Sequence, residues 1–588
     1  QWLGSDYMLA ALKLDAGNTL KRLGDGYYEQ KLMNEQVLSL TGKRYLNGYD
    51  NNEAQFKALM ENGITAADSL QLTPGVALTA EQVARLTSDI IWLESRTVTL
   101  PDGSQQTVLA PQVYVKVRPG DLNGNGALLS GSVTALNVAG QLQNSGTIAG
   151  RETLTIRADS INNLSGRIDA ARLAVQADND IHNSGGTISA GESLLLKAGR
   201  DINHFSTTGS SQSEQGSVTH LNRVAGIYLT GANGTLALDA GRNLSVAAAE
   251  IVNNGSGKTL LQAGQDIRLE TVGISRSQHN RFDADNHTIR SSQTDIGSRI
   301  QTGGDLTLLA GHDIQAVAAE IDSQKGTLAV HAGNQISISA GNSSQFVDDA
   351  SKHSGRTGGG NKRVETTHVI SEERQAVASN LGGNKVSLSA GQDIQIHGSS
   401  VIGDKQLDIR AGKDILIGTT DTESSESRFH SVKKSGLLSS GGIGFTIGSQ
   451  KDSTATDNTT LTHNGSTVGS LSGDTTVTAG NRYRQVGSVV SAPEGNIDIA
   501  AKQIDIEAAQ DRYDTDYRHT FEQKGLTVAI NVPVVNAVQG AVESVKTVGK
   551  SNNGRVNAIA AANAAWNGDQ SYQSLGSTVQ ALQSNNPQ

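Results

Sequence analysis

Between Leu154 and about residue 501 one pattern of apolar and polar positions returns again and again. It reads L-x-L-x-A-G-x-D-I: LLLKAGRDI at 194–202, LALDAGRNL at 236–244, LTLLAGHDI at 306–314, LAVHAGNQI at 328–336, VSLSAGQDI at 386–394 and LDIRAGKDI at 407–415. Apolar and polar residues alternate in the first half, which is the period of a strand. Ala-Gly marks a corner where a large side chain does not fit and where glycine is free to take positive φ. A second short strand starts at Asp-Ile. The aligned alanines are Ala158, Ala177, Ala198, Ala240, Ala263, Ala310, Ala332, Ala390, Ala411, Ala479 and, more loosely, Ala501. Their successive spacings are 19, 21, 42, 23, 47, 22, 58, 21, 68 and 22 residues. The unit is therefore about 20 residues, the length of one coil of a β-solenoid. The 42-residue step reads as two coils, the second without a clear motif, and the three longest steps hold extra chain.

The pattern predicts a mainly β protein: a right-handed parallel β-helix of about 20-residue coils with projecting β-hairpin insertions, preceded by a small α+β module. Strands stacked about 4.8 Å apart make ten or more coils a rod on the order of 50 Å or longer. Residues 1–120 form the predicted α+β module, read as a cap on the open end of the solenoid. Helices are expected over 26–40, over 52–72 (single or broken at Gly63) and most clearly over 78–93. There Thr79 and Gln82 make a capping box and Val83, Leu86, Ile90 and Leu93 share a face. A hairpin follows, Arg96–Leu100 against Thr107–Leu109 around Pro101-Asp102-Gly103-Ser104, with 112–117 as a further strand. The solenoid covers 121–510, with insertions at about 203–224, 273–299, 342–380 and 419–470. At least two of these read as hairpins. Asn144-Ser145-Gly146, Asn163-Leu164-Ser165-Gly166 and Asn183-Ser184-Gly185 mark a second corner, where stacked asparagines hydrogen-bond from coil to coil. Residues 511–588 hold a terminal strand at 525–533, an alanine-rich helical segment at 534–566 and a disordered tail.

Composition narrows the functions. There are 66 glycines, 7 prolines, no cysteine and 4% aromatic residues, which suits a thin solenoid better than an enzyme core. No disulfide or cysteine-based metal site is possible. The net charge of −10 gives nucleic-acid binding no global support. No apolar run reaches the length of a transmembrane helix. The chain opens on Gln1, which reads as a piece of something longer, with any export signal outside it.

Two stretches of this chain carry a family resemblance. The coils GTIAGRETLTIRADSINNLSG and GGTISAGESLLLKAGRDI resemble the filamentous-haemagglutinin repeats of two-partner-secreted exoproteins. The front segments LGSDYML, LGDGYYEQKL, LTGKRYL and VYVKVRPGDL resemble the region before the second haemagglutinin-repeat region in CdiA-type contact-dependent growth inhibition effectors. The resemblance covers nearly the whole chain. It implies a bacterial surface protein exported through an outer-membrane transporter, with a rod, a receptor-binding region upstream and a C-terminal toxin. It also implies that this repeat region meets the target cell's outer membrane and helps the toxin cross. A secretion domain, a VENN motif and a toxin domain are missing from these residues, so toxin identity is out of reach.

Candidate chemistry is sparse. Asp121-Leu122-Asn123-Gly124-Asn125-Gly126 opens like an EF-hand loop, but Ser132 stands where the bidentate Glu belongs, and a turn is the reading. His279, Asp283, Asp285 and His287 have a spacing that suits metal ligation and suits equally a solvated hairpin face, so no metal site is assigned. The repeated Asp201, Asp266, Asp313, Asp393 and Asp414 read as corner residues capping backbone amides rather than as a calcium ladder. There is no G-x-S-x-G, H-E-x-x-H or Walker sequence, so no catalytic, cofactor-binding or metal residue is assigned, and no cofactor is expected. Function is placed on the insertions, because variable segments on a rigid scaffold are where binding sits. Phe282, Ile289, Phe429, Leu437, Leu438, Ile443, Phe445 and Ile447 are the candidate contacts to lipid or a partner. The expected partners are the outer-membrane transporter and the target cell's outer membrane or a surface receptor, with no nucleic acid, on a monomer. An adhesin stalk is the alternative. A β-helical lyase is disfavoured, because no row of Asp, Arg or Lys lines consecutive coils.

Overall fold

The computed structural model describes residues 4–12, 26–41, 46, 49, 51–79, 82–83, 85–99, 105–114, 127–357, 361–439, 444–529 and 553–559. The turn expected at Asp121–Gly126, most of the helical segment expected at 534–566 and the tail beyond it lie outside them. The chain divides into two compact units. The first holds Gln1–His279, Ser291–Gly326 and His331–Gly333; the second holds Asn280–Arg290, Thr327–Val330 and Asn334–Gln588.

In the first unit the repeat folds as stacked β-helical coils. Strands such as Thr147–Ala158, Arg167–Ala177 and Thr187–Ala198 run parallel, bend once and so contribute to two faces. The strand after Ala-Gly supplies a third face: Ser160–Leu164, Ile181–Ser184, Ile202–Phe205 and Leu244–Ala247 pair in parallel. The alternating residues point inward as the pattern requires, with Leu154, Ile156, Leu194, Leu196, Leu236 and Leu238 buried. The alanines stack in register, Ala158 on Ala177 on Ala198 on Ala240 on Ala263 on Ala310. Ala198 thus meets Ala240 directly. The 42-residue step is not two coils, as its length suggested, but one coil and a hairpin, Thr207–Ser213 with Gly216–Arg223. In the second unit Ala390 pairs with Ala411 and Ala411 with Ala479, although 68 residues separate the last two.

The motif glycine serves a purpose other than backbone freedom. Gly199, Gly241, Gly264, Gly311, Gly412 and Gly480 are not among the residues with positive φ. A Cβ on Gly241 would lie 2.1 Å from the carbonyl oxygen of Gly199, and one on Gly264 2.2 Å from that of Gly241. The glycine is there because each coil's carbonyl sits where the next coil's side chain would start. The motif aspartate binds across the same seam. Asp201 Oδ1 accepts from the Asn243 amide at 3.1 Å, Asp266 Oδ1 from the Asp313 amide at 3.1 Å, and Asp393 Oδ1 from the Asp414 amide at 3.1 Å. The hydrogen bond from Arg242 holds the Asp201 carboxyl below the usual carboxylate range, and that from Arg200 does the same for Asp180.

The left-handed backbone is at the other corner. Ser165, Gly185, Ala248 and Ala318 have φ of 58°, 59°, 48° and 49° in the first unit, and Gly398 and Gly487 have 53° and 52° in the second. Insertions leave the solenoid at this same corner. Thr207–Ser213 follows Ile202–Phe205, Gly341–Thr357 follows Ile336–Ser339, and Thr420–Ser439 follows Asp414–Gly418. Within the second unit, hairpin corners alternate with the single-residue corners at Gly398 and Gly487. A hairpin occupies two strand widths and a coil pair is two strand spacings high, so hairpins on every second coil meet edge to edge.

Beside this corner the asparagines form a buried ladder. Asn144 Nδ2 donates to Asn163 Oδ1 at 2.8 Å, and Asn163 Nδ2 donates to Asn183 Oδ1 at 2.8 Å. Asn183 Nδ2 donates to His204 Nδ1 at 3.0 Å, and His204 Nε2 donates to the Glu250 carbonyl at 2.9 Å. Burial holds the pKa of the His204 imidazole down to about 4. Its folded value lies below the unfolded 6.5, so the unfolded chain takes up the proton first and stability is lost as pH falls from about 6.5 toward 4. A tenfold difference in proton affinity between folded and unfolded chain is worth about 1.4 kcal/mol, so the loss is a few kcal/mol. His204→Asn, whose amide extends the ladder, is expected to flatten this part of the pH dependence. Urea midpoints at pH 7.5 and 4.5 for both proteins check it, and equal slopes would remove His204 as the cause.

The N-terminal module packs Gly26–Thr41 and Asn52–Leu70 on a hairpin, around Met33, Phe56, Met60, Ile91 and Trp92. Asn52–Leu70 is unbroken. Gly63 is present because a Cβ there would lie 2.1 Å from the Ile91 carbonyl. The expected helix over 78–93 does not run its length: Gln82 and Val83 are helical, but residues 85–89 are not. The capping box does form, with the Thr79 amide on Gln82 Oε1 at 2.9 Å and the Gln82 amide on Thr79 Oγ1 at 3.1 Å, but it closes only a short turn. From Ile90 the chain is a strand, Ile90–Thr99, paired antiparallel with Gln105–Tyr114 from Thr99/Gln105 to Ile90/Tyr114. The consecutive Ile90, Ile91, Trp92 and Leu93 are all buried, which a strand inside the module permits and a one-sided helix does not. Residues 112–114 belong to this same hairpin rather than to a further strand. Gln105–Tyr114 contacts Thr207–Ser213 of the solenoid's first hairpin.

Candidate functional site: the hairpin sheet of the second unit

The second unit's insertions make one antiparallel sheet. Gly341–Thr357 pairs with Asn361–Val377, which pairs with Thr420–Ser439, then Gly444–Asn464, then Arg512–Ala529. The longest of these strands has 21 residues, which at about 3.4 Å each extends roughly 70 Å. Most of that length is polar on both faces. Ion pairs such as Arg428–Glu426 at 3.4 Å and Arg518–Asp516 at 3.7 Å lie in solvent and add little, so the ladder itself holds the sheet.

The outer end is different. Leu437, Ile447 and Leu526 stand directly opposite one another on three strands and are 59%, 56% and 72% exposed. Beneath them runs a row of glycines, Gly436 opposite Gly448 opposite Gly525. Gly436 and Gly525 have φ of 124° and 138°. A Cβ on Gly448 would lie 2.0 Å from the Lys524 carbonyl. The row therefore puts backbone suited to glycine where polar sequence gives way to apolar. Asn361 fastens the end from the side: its Oδ1 accepts from the Leu437 amide and its Nδ2 donates to the Leu437 carbonyl, both at 2.8 Å.

The other expected contacts are dispersed. Leu438 faces away from Leu437 and is buried. Phe282 is 89% exposed near a turn closed by its own amide on the Asn286 carbonyl at 3.0 Å. Ile289 is half-buried. Phe429 lies mid-strand opposite His368. Phe445 pairs with Ser439 and Val528 by its backbone, and Ile443 lies outside the described residues. Leu526 was missed from the sequence. Its signal is a glycine beside an apolar residue, GLL at 436, TIG at 446 and GLT at 525, which only the register brings together.

The histidine–aspartate spacing of 279–287 also sorts differently. Asp283 closes a turn, accepting from the Asp285 amide at 2.8 Å and from Asn286 Nδ2, while Asp285 pairs with Lys352 at 2.8 Å. His287 joins Asp348 and His368 instead, with Nε2 to Asp348 Oδ1 distances of 3.0 and 2.7 Å. Burial pushes the Asp348 carboxyl up, and the hydrogen bonds from His368 and His287 bring it net below its ordinary value.

The family described as hemagglutinin repeat matches residues 274–361 and 357–525, which take in nearly all of the second unit's hairpin sheet. The chain is 30% identical over 99% of its length to a "Toxin CdiA" of Yersinia pestis. It is 31% identical over 97% to a "tRNA nuclease CdiA" of Escherichia coli strain STEC_O31, and 31% identical over 98% to a "16S rRNA endonuclease CdiA" of Enterobacter cloacae. It spans about a fifth of these relatives, 20%, 19% and 19% of their lengths respectively. No solved structure matches it.

Proposed function

Since this chain is of the CdiA type along nearly its whole length, with haemagglutinin repeats matched over 274–525, we propose that it is a non-catalytic rod segment of a secreted, surface-exposed toxin-delivery protein. In this reading an outer-membrane transporter exports it, and its hairpin sheet meets the outer membrane of a target cell and helps a C-terminal toxin across. The names of the relatives, a toxin and two nucleases, support the toxin but say nothing of which one this protein would carry.

The observation that carries the reading is the apolar row Leu437–Ile447–Leu526 beyond a row of glycines on long polar strands. The apolar end is a few residues deep, about 10–15 Å, against a hydrocarbon core of about 30 Å. Among the described residues this apolar depth reaches into one leaflet. A strand in lipid must have its backbone paired, and the Asn361 side chain supplies this to Leu437 while the ladder supplies it to Ile447.

The triple variant Leu437→Asp, Ile447→Asp, Leu526→Asp tests it. Each apolar side chain contributes about 1.5–3 kcal/mol when buried, so vesicle binding is expected to fall by at least about 100-fold. Flotation with vesicles of outer-membrane lipid composition reads this, with circular dichroism to verify folding. Unchanged flotation sinks the membrane reading. Flotation lost but growth inhibition by the full-length parent intact would sink the role in toxin passage.

A further inference from the structure

His287, Asp348 and His368 come from neighbouring strands of the second unit's sheet. Ala350 lies opposite His368, so Asp348, two residues away, is on the same face. Both imidazole Nε2 atoms converge on one oxygen, Asp348 Oδ1, at 3.0 and 2.7 Å. The rings stand edge to face, 5.8 Å between centroids and 81° between planes. All three donor atoms lie within 4.8 Å of one another. We infer that these side chains form a divalent-metal site of the two-histidine, one-carboxylate kind, taking zinc or another borderline first-row ion.

Donor chemistry and distance agree. Imidazole with carboxylate suits zinc, copper, nickel and iron, whereas calcium and magnesium want more oxygens. Ligands about 2.0–2.2 Å from an ion are roughly 3.0–3.5 Å from each other, so the two histidine–aspartate separations need to widen by only tenths of an ångström. The backbone is already fastened around the site. Asn286 Oδ1 accepts from the Lys352 amide at 2.8 Å, Lys352 Nζ reaches Asp285 at 2.8 Å, and Arg290 reaches Asp349 at 2.8 Å. These contacts hold the strand of His287 against that of Asp348, so little order has to be gained on binding.

Both Nε2 atoms donate to the Asp348 carboxylate, so a metal ion would take the place of those two protons. A ligating histidine must present a bare nitrogen, and its tautomer is usually set by the partner of its other nitrogen. His287 Nδ1 is buried and has no hydrogen-bond partner among the described residues, so no acceptor stands ready for the proton that a metal ion would displace from Nε2. The same missing support places the affinity in the micromolar range rather than that of a structural zinc site. Three protein ligands leave at least one coordination position open. Bound metal would staple the segment Asn280–Arg290 to the hairpin Gly341–Val377.

The test uses the whole chain, stripped with chelator, desalted and titrated with ZnCl2 against a chromophoric chelator. One equivalent is expected with Kd of about 10 µM or tighter, and His368→Ala or Asp348→Asn should each weaken it at least about 10-fold. His312→Ala, in the separate Asp266–His312–Asp313 cluster, should leave it unchanged. As a check needing no variant, ZnCl2 should protect His368 from diethylpyrocarbonate, read by mass spectrometry on the wild-type chain. No binding below about 100 µM, binding indifferent to both substitutions, or no protection of His368 would each overturn the assignment.

Discussion

Gly241→Ala is expected to destabilise its coils by about 3 kcal/mol or more, a large effect for a single methyl group. The added carbon would stand 2.1 Å from the Gly199 carbonyl oxygen and 2.9 Å from its carbon, both backbone atoms that cannot swing aside. Relief requires the two coils to separate. That strains the Gly241 amide to Ala198 carbonyl bond at 2.9 Å and the Arg242 amide to Arg200 carbonyl bond at 2.7 Å, each worth about 1 kcal/mol. The matched control is Gly140, which also follows an alanine ahead of the third-face strand Gln141–Asn144. A Cβ on Gly140 meets nothing within 4 Å, so Gly140→Ala should stay within about 0.5 kcal/mol of wild type. Stacked coils unfold piecewise, so the reading is hydrogen exchange across residues 194–263 together with denaturant midpoints. Equal protection in the two variants would rule out carbonyl contact as the reason for the glycine column.

The second large effect is expected at Asn163. Replacing it with alanine strips the acceptor of Asn144 Nδ2 and the donors to Asn183 Oδ1 and to the Gly166 carbonyl, which are 2.8, 2.8 and 2.9 Å away. Asn144 Nδ2 keeps the Arg167 carbonyl at 3.2 Å and the Gly166 carbonyl keeps the Thr187 amide at 2.9 Å. Buried Asn183 Oδ1 is therefore the group left unsatisfied, at about 1–3 kcal/mol; with the other two bonds lost at about 1 kcal/mol each the total is about 3–5 kcal/mol. Asn179 makes a coil-to-coil bond of the same kind, Nδ2 to Asp159 Oδ1 at 2.7 Å, but on the exposed surface. Water can replace that partner, so Asn179→Ala should cost under about 0.5 kcal/mol. Thermal and urea unfolding of the two variants decide it. Similar losses would mean that the ladder adds nothing beyond ordinary surface bonding.

The coil was legible because its signals are local. Alternation, the Ala-Gly corner and Asp-Ile all lie within nine residues, and parallel stacking repeats them in register. Length was a poorer guide. Thr207–Arg223 is polar and about as long as a coil, so a spacing of 42 imitated two coils when only one was there. Leu78–Leu93 misled for another reason. Val83, Leu86, Ile90 and Leu93 keep helical spacing, but Ile90 to Leu93 is also an unbroken apolar run, and burial on both sides favoured the strand. The motif glycine was identified correctly as obligatory at a corner, but its cause is a carbonyl one coil away, which a single coil's sequence does not contain. At the hairpins the decisive quantity is register. Leu437, Ile447 and Leu526 become neighbours only once three strands are aligned, and His287 finds Asp348 at a separation of 61 residues rather than the aspartates beside it.

The alternation of hairpin corners with Gly398 and Gly487 also bears on how such a chain grows and shrinks. Gain or loss of a single coil would leave neighbouring hairpins one strand spacing too far apart or too close, opening the sheet or crowding it. Gain or loss of a coil pair with its hairpin preserves both. Recombination within the gene is therefore tolerated in steps of a pair, and the hereditary module is the pair rather than the 20-residue repeat that is easiest to recognise. Chimeras cut at Gly398 and Gly487 respect that module, and cuts placed one coil away do not.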